Sequence, residues 1–231
     1  MNPEISPFLE KVTLLGGGDH SEATVSRLLT LAPNLVVCDG AAAQALALGH
    51  VPGLVVGDMD SLDAATRAAL DPATVVEIGE QDTTDFDKAL RSIDAPMVLG
   101  AGFMGQRLDH ELACYNALVR RPEARCILVG EHDICFHCPP EITLELTPGD
   151  RVSLFPLREV AVSIAGLVWS FERIVFAPDG RVGTSNAAAE RRVTIRPESH
   201  GLLVILPAAL LEAAIAGLEA APPAPKLTPD G

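Results

Sequence analysis

The sequence is short of positive charge. Its 231 residues carry 17 Lys and Arg against 31 Asp and Glu, a net charge of −14. A nucleic-acid binder normally presents a basic face, and none is evident, so nucleic acid is excluded as a partner. An acidic chain that takes an anionic ligand usually does so through a metal cation. Cysteines are few and odd in number, five in all and scattered. That excludes a disulfide framework and fits a reducing, cytoplasmic setting. Long uninterrupted apolar runs are also missing. The only stretch that approaches a membrane span, "GLLVILPAALLEAAIAGL" at 201–218, is broken by Pro207 and Glu212. It reads instead as a strand over 202–206 followed by a short helix, so no membrane partner is expected. The first residues, "MNPEISPFLEKV", lack the basic-then-apolar order of a secretion signal. Tryptophan occurs once, at Trp169.

What is present is a chain that is 48% hydrophobic, enough for a sizeable core. In the first 130 residues, apolar runs ("KVTLLGGG", "NLVVCDG", "GLVVGDMD", "TVVEIG", "PMVLGAG", "RCILVG") alternate with segments suited to helices. Strands without polar alternation, separated by helices, predict a parallel sheet covered on both faces. Beyond residue 130 the texture becomes short β-rich runs broken by Pro, Gly and Asp, which predicts an all-β sandwich. The expected organisation is an α/β domain over 1–134, a β-sandwich domain over 135–220 and a Pro-rich disordered tail over 221–231. "ICFHC" at 134–138 contains one C-x-x-C with His132 and Cys126 nearby. With no second pair at finger spacing, it reads as a strand rather than as a zinc site.

Ligands of an open parallel sheet bind beyond the carboxyl ends of its strands. Asp39 follows "LVVC", Asp58 and Asp60 follow "LVV", and glycines follow "VTLL" and "MVL". A single Asp at such a place is usually a helix cap, and Asp19 and Asp63 are read that way. Capping leaves Asp58 unexplained, and two carboxylates one residue apart repel unless a cation lies between them. In "QDTTDFDKAL", Phe86, Ala89, Leu90 and Ile93 form an apolar helical stripe. Asp82 or Thr83 is placed to cap this helix. Asp85 and Lys88 share its other face, either as a surface ion pair or as a further metal-directed acid beside a phosphate-directed lysine. "GAGFMGQRLDHELACYNAL" brings a glycine-rich loop to Arg107, Asp109 and His110 at a helix start, a favourable place for an anion. "TSN" at 184–186 reads locally as a turn, and Trp169 as a core or interface aromatic.

Taken together, "DG" at 39–40, "GDMDS" at 57–61, "QDTTDFDKAL" at 81–90, "GQRLDH" at 105–110, "GDRVSLFPL" at 149–157, "GLVW" at 166–169 and "TSN" at 184–186 resemble thiamine pyrophosphokinases (thiamine diphosphokinases) in order and spacing. The resemblance implies transfer of pyrophosphate from ATP to the hydroxyl of thiamine, with Mg2+ as cofactor, in a homodimer whose sites lie between subunits. By resemblance Asp58, Asp60 and Asp85 hold Mg2+. Asp39, Gln81, Asp82, Thr84, Arg107 and Asp109 line the ATP region. Asp58, Asp60, Asp85, Lys88 and Arg107 carry catalysis, with Lys88 and Arg107 stabilising charge on the transferring group. Trp169, Ser185 and Asn186 contact thiamine, with Trp169 as a platform for the cationic thiazolium. One departure stands out: Gln106 occupies a place where the family usually has a second glycine. The competing readings are a diphosphokinase acting on another alcohol such as a pterin, and a metal–nucleotide binding module without turnover.

Overall fold

The computed structural model describes residues 6–70, 74–80 and 82–227. The chain forms two compact units. The first comprises the residues up to Ala117 together with Cys126–Glu131, and the second comprises Leu118–Arg125 and the residues from His132 onward. In the first unit a two-residue pairing joins β1 (Ser6–Pro7) to β6 (Ile93–Asp94). The main sheet contains β2 (Val12–Leu15), β3 (Asn34–Cys38), β4 (Leu54–Gly57), β5 (Thr74–Glu77), β7 (Val98–Ala101) and β8 (Cys126–Val129). Their order is β8-β7-β2-β3-β4-β5, and every pairing is parallel. Successive connections run outward from β2 in one direction and then, from β7, in the other. The switch lies between β2 and β7.

All four residues of β2, β4, β7 and β8 are buried. That explains the unbroken apolar runs, because a strand covered on both faces has no solvent side on which to place polar residues. Each fully buried Leu or Val contributes about 1.5–3 kcal/mol relative to exposure. The helices are α1 (Glu22–Leu31), α2 (Ala42–Ala47), α3 (Ala64–Ala69), α4 (Asp85–Ser92) and α5 (Leu108–Arg120). Asp63 caps α3 by accepting the Thr66 amide at 2.7 Å, as expected. Two cap expectations are corrected. α1 is capped by Ser21 rather than Asp19, and α4 by Thr84 rather than Asp82 or Thr83. In each case the capping hydroxyl is one or two residues closer to the first helical turn, within reach of the amide three residues on.

The second unit is an antiparallel β-sandwich. One sheet has the order β14 (Gly183–Ala187), β11 (Arg151–Pro156), β16 (Leu202–Pro207) and β9 (Asp133–His137). The other has the order β10 (Ile142–Glu145), β15 (Arg192–Pro197), β12 (Val160–Ala165) and β13 (Phe171–Phe176). α6 (Leu211–Ala220) follows β16, as the split of the 201–218 stretch predicted. No helix among the described residues is long and apolar enough to cross a membrane. "ICFHC" lies largely in β9, as a strand. "TSN" is not a simple turn. It lies in β14, where pairing with β11 overrides the local turn signal, although Ser185 keeps a left-handed φ of 60°. Ala221–Leu227 form no regular element, and 228–231, the rest of the predicted tail, lie outside the described residues.

His137 is buried on β9, and its Nε2 accepts the Gly201 amide at 3.3 Å. Burial, with a smaller effect of His200, pushes its pKa from about 6.5 down to about 4. The unfolded chain takes up a proton near 6.5 and the folded chain does not. Stability is therefore complete above pH 6.5 and falls as pH drops toward 4, by up to about 3 kcal/mol. Urea unfolding of the wild type should show this decline, and His137→Gln, which retains an acceptor, should flatten it.

Candidate active site

The site of the first unit grows from the carboxyl ends of its strands. β3 runs into a 3-10 turn, Asp39–Ala41, and there the Asp39 side chain becomes buried. One carboxylate oxygen accepts the Gly40 amide at 2.7 Å, and the other accepts the Met59 amide at 2.9 Å, beyond β4. Asp39 thus ties the ends of two neighbouring strands together. Gly57 makes this possible, since a Cβ there would lie 2.4 Å from the Asp39 carboxyl carbon. Met59 has a φ of 65°, and this left-handed residue separates Asp58 from Asp60 in the turn. The Asp60 amide donates back to Asp58 at 3.3 Å.

Asp39, Asp58 and Asp60 bring one oxygen each to within 4.8 Å of one another. At such distances, with an effective dielectric of about 20, each like-charged pair repels by up to about 4 kcal/mol. Burial, chiefly, raises the Asp39 pKa, and the charges of Asp85 and Asp58 add to it, while the two amides oppose the shift. An all-oxygen, acidic donor set of this kind fits a hard divalent cation. Asp85, at the first position of α4, lies outside this trio and joins it through Lys88. The Lys88 ammonium donates to Asp85 at 3.1 Å and stands 3.9 Å from Asp58. Its side chain is only 3% exposed, so it acts as a fixed internal counter-charge to the acids.

Beside the acids lies a cavity of about 250 Å3. It sits at the switch between β2 and β7, where ligands of doubly wound sheets bind. One wall is Gly16–Gly18 after β2, and another is Gly102 and Phe103 after β7. The two loops interlock, with the Gly18 amide donating to the Gly102 carbonyl at 3.0 Å. Gly102 has a φ of 79°, and a Cβ there would lie 2.4 Å from the Gly16 carbonyl oxygen. Thr84, Asp85 and Arg107 also line the cavity, as does His110. Arg107 is exposed and forks onto Asp109, at 3.2 and 2.8 Å, which holds the Asp109 pKa down to about 2. Gln106 donates to Asp19 at 3.1 Å, across to the β2–α1 loop. Its φ is not in the left-handed region, so the missing glycine leaves no strain there.

Several lining residues had no sequence signal of their own, among them Ser61, Phe103 and the thiols Cys38 and Cys114. Phe103 packs against Phe86 with ring centroids 4.7 Å apart. Burial pushes the Cys38 thiol well up, and that of Cys114 to about 12, so both are neutral packing groups. Asp82 is exposed and does not line the cavity, and Gln81 lies outside the described residues.

In the second unit the three remaining candidates are neighbours. Trp169, 57% exposed, sits in the connection between β12 and β13. Asn186, buried on β14, accepts the Trp169 amide at 3.1 Å and donates to the Trp169 carbonyl at 3.0 Å. The Ser185 amide donates to Ser153 Oγ at 3.0 Å, leaving the Ser185 side chain exposed.

A doubly wound sheet with an acid-and-glycine cavity at its switch point, followed by an antiparallel β-sandwich, defines a two-unit protein, α/β and then all-β. Residues 25–128 match the family model for the thiamin pyrophosphokinase catalytic domain, and 137–201 match that for the thiamin pyrophosphokinase vitamin B1 binding domain. Together these matches cover well over half of the chain, and the chain belongs to the thiamine pyrophosphokinase family. Thiamine pyrophosphokinase 1 of Arabidopsis thaliana is 28% identical over 178 residues, covering 68% of this chain and 66% of that protein. Thiamine pyrophosphokinase 1 of Oryza sativa subsp. japonica is 29% identical over 65% of this chain and 64% of its own length. The chain thus spans just under two thirds of these plant relatives. Among solved structures, a protein from Lactobacillus plantarum matches with a TM-score of 0.71 at 25% identity, covering 86% of this chain and 98% of that one. Thiamin pyrophosphokinase from Candida albicans shares the fold with a TM-score of 0.72 at 15% identity, over 86% and 89%.

Gly57→Ala should displace the Asp39 carboxylate. Overpacking of this kind costs about 1–3 kcal/mol. Thermal unfolding should register that loss, and divalent-cation binding by calorimetry should weaken with it.

Proposed function

We propose that this protein is a thiamine diphosphokinase, transferring the pyrophosphoryl group of ATP to the hydroxyl of thiamine with Mg2+ as the metal. The observation that carries this reading is the Asp39–Asp58–Asp60 trio at the edge of a glycine-walled cavity, within the segment that matches the family's catalytic model. The thiamine hydroxyl oxygen attacks the β-phosphorus, the bond from that phosphorus to the bridging α-phosphate oxygen breaks, AMP leaves, and the hydroxyl proton passes to a carboxylate of the acid cluster. A bound divalent cation would neutralise charge on the phosphate oxygens. Asp39, Asp58 and Asp60 would hold it, and Asp85 would add a further carboxylate from α4.

The chain's own groups position the reactants. The Gly16 and Gly18 amides are committed to the Ala101 and Gly102 carbonyls, so this loop serves by leaving room: no side chain stands between its backbone and a phosphate. Arg107 offers a guanidinium fork to a phosphate, and Asp109 holds that fork at the cavity mouth until the ligand arrives. Thr84 places the start of α4, and its partial positive charge, toward the same space. In the second unit, Trp169 presents an aromatic face to the thiazolium cation, an attraction of about 0.5–2 kcal/mol, and Ser185 adds a hydroxyl. The protein works as a homodimer in the cytoplasm. Exposed Val168, Phe171 and Val175 on and beside the edge strand β13 support a second copy as partner, and the five scattered, buried cysteines support a reducing setting.

The first test is AMP formation from ATP and Mg2+ with and without thiamine. Thiamine-dependent AMP, matched by thiamine diphosphate in equal amount, is expected. AMP produced only with a different alcohol would move the acceptor, and no AMP with any acceptor would overturn the enzyme reading. Asp58→Asn should lower kcat by about 100-fold or more, since even residues one step removed from a metal cost 10–100-fold. A wild-type rate in that variant would remove Asp58 from the metal set.

A further inference from the structure

The only tryptophan of the chain is held from behind. The side-chain amide of Asn186 is buried and makes a two-way bond to the backbone of Trp169, accepting its N–H and donating to its carbonyl. This reciprocal pattern fixes which end of the amide is oxygen and which is nitrogen. The same oxygen also accepts the Ala187 amide at 2.9 Å. The turn that carries Trp169 is braced a second time by Ser170, whose hydroxyl accepts the Leu167 amide at 3.2 Å and donates to the Leu167 carbonyl at 2.7 Å. A further backbone bond joins the Val168 amide to the Ala187 carbonyl. Trp169 itself remains more than half exposed. The backbone that carries the indole is therefore tied to β14 at several points, while the residue stays largely exposed.

We propose that Asn186 is a positioning residue that acts on thiamine through Trp169, by fixing the turn that carries the indole, and makes no contact with thiamine itself. The inference rests on the reading of Trp169 as the thiamine platform and assigns Asn186 a different task from its neighbour Ser185. Its oxygen already accepts two backbone amides and one of its amide hydrogens is donated to the Trp169 carbonyl, so only its second amide hydrogen is uncommitted, and the side chain is buried. A rigid aromatic surface loses less freedom on binding than a mobile one, and its affinity rises accordingly.

Because Trp169 is unique, its fluorescence reports the turn directly, without turnover. In the ligand-free protein, Asn186→Ala should lower the steady-state anisotropy of the indole and increase its quenching by acrylamide. In the enzyme assay, the KM for thiamine should rise roughly tenfold, about one lost hydrogen-bonded restraint, while the KM for ATP stays within twofold. A double-mutant cycle with Trp169→Ala separates the two routes. If Asn186 works through the indole, the double variant is no worse for thiamine than Trp169→Ala alone. Additive losses, or an unchanged anisotropy, overturn the proposal. Should Asn186→Ala fail to fold, Asn186→Asp keeps both accepted bonds and replaces the donation to the Trp169 carbonyl by a repulsive carboxylate–carbonyl contact. It should show the same mobility gain, and unchanged indole mobility in it counts against the clamp equally. If Trp169→Ala leaves the thiamine KM unaltered, the platform reading fails. The fluorescence of the Asn186 variants still decides whether the clamp exists.

Discussion

Concentrated negative charge at the ends of β3 and β4 is the constraint around which the first unit is arranged. Three carboxylates within 4.8 Å are unstable by themselves, and the fold holds them there by separate means. Asp39 is pinned by two amides from different loops. Gly57 yields the space that the Asp39 carboxyl needs. Lys88 is buried beneath the acids as a permanent but partial counter-charge. One ammonium shared between Asp58 and Asp85 leaves the trio short of positive charge, a deficit that a divalent cation would offset.

The cavity beside the acids follows from chain topology. In a doubly wound sheet the loops after β2 and β7 diverge to opposite faces, and a crevice opens between them. Here the crevice is narrowed by an interlock of glycines, Gly18 on Gly102 and Gly102 against Gly16, which no side chain would permit. Gln106 adds a side-chain tie from one loop to Asp19 on the other. This is how the chain uses a residue that departs from the family's usual glycine: the position gains a hydrogen bond and needs no unusual backbone. The buried thiols of Cys38 and Cys114 fill the wall without adding charge.

The second unit solves a different problem, carrying an exposed aromatic residue on a turn whose backbone is tied down. An exposed indole gains little from packing, so its order must come from the backbone below it. β14 supplies that order through Asn186, and Ser170 does so within the turn. The local sequence "TSN" has the composition of a turn, yet it lies in a strand because β11 provides pairing partners on one side. Ser185 keeps the left-handed φ, a trace of the local preference that the sheet overrode.

The sequence by itself determined the class of each unit, the position of nearly every strand, and the acids of "GDMDS" and α4. These are local properties: burial on two faces demands unbroken apolar runs, and a helix shows its stripe within ten residues. Tertiary structure alone decided which acids meet. Asp39 joins Asp58 and Asp60 because parallel pairing brings the end of β3 beside the turn after β4, 20 residues away. It also decided that Lys88 faces inward to carboxylates, that Gln106 reaches Asp19 across 87 residues, and that the Asn186 amide turns to the Trp169 backbone 17 residues before it. A side-chain hydrogen bond depends on the partner's position to within a few tenths of an ångström. That precision arises only when strands from distant parts of the chain pair in register.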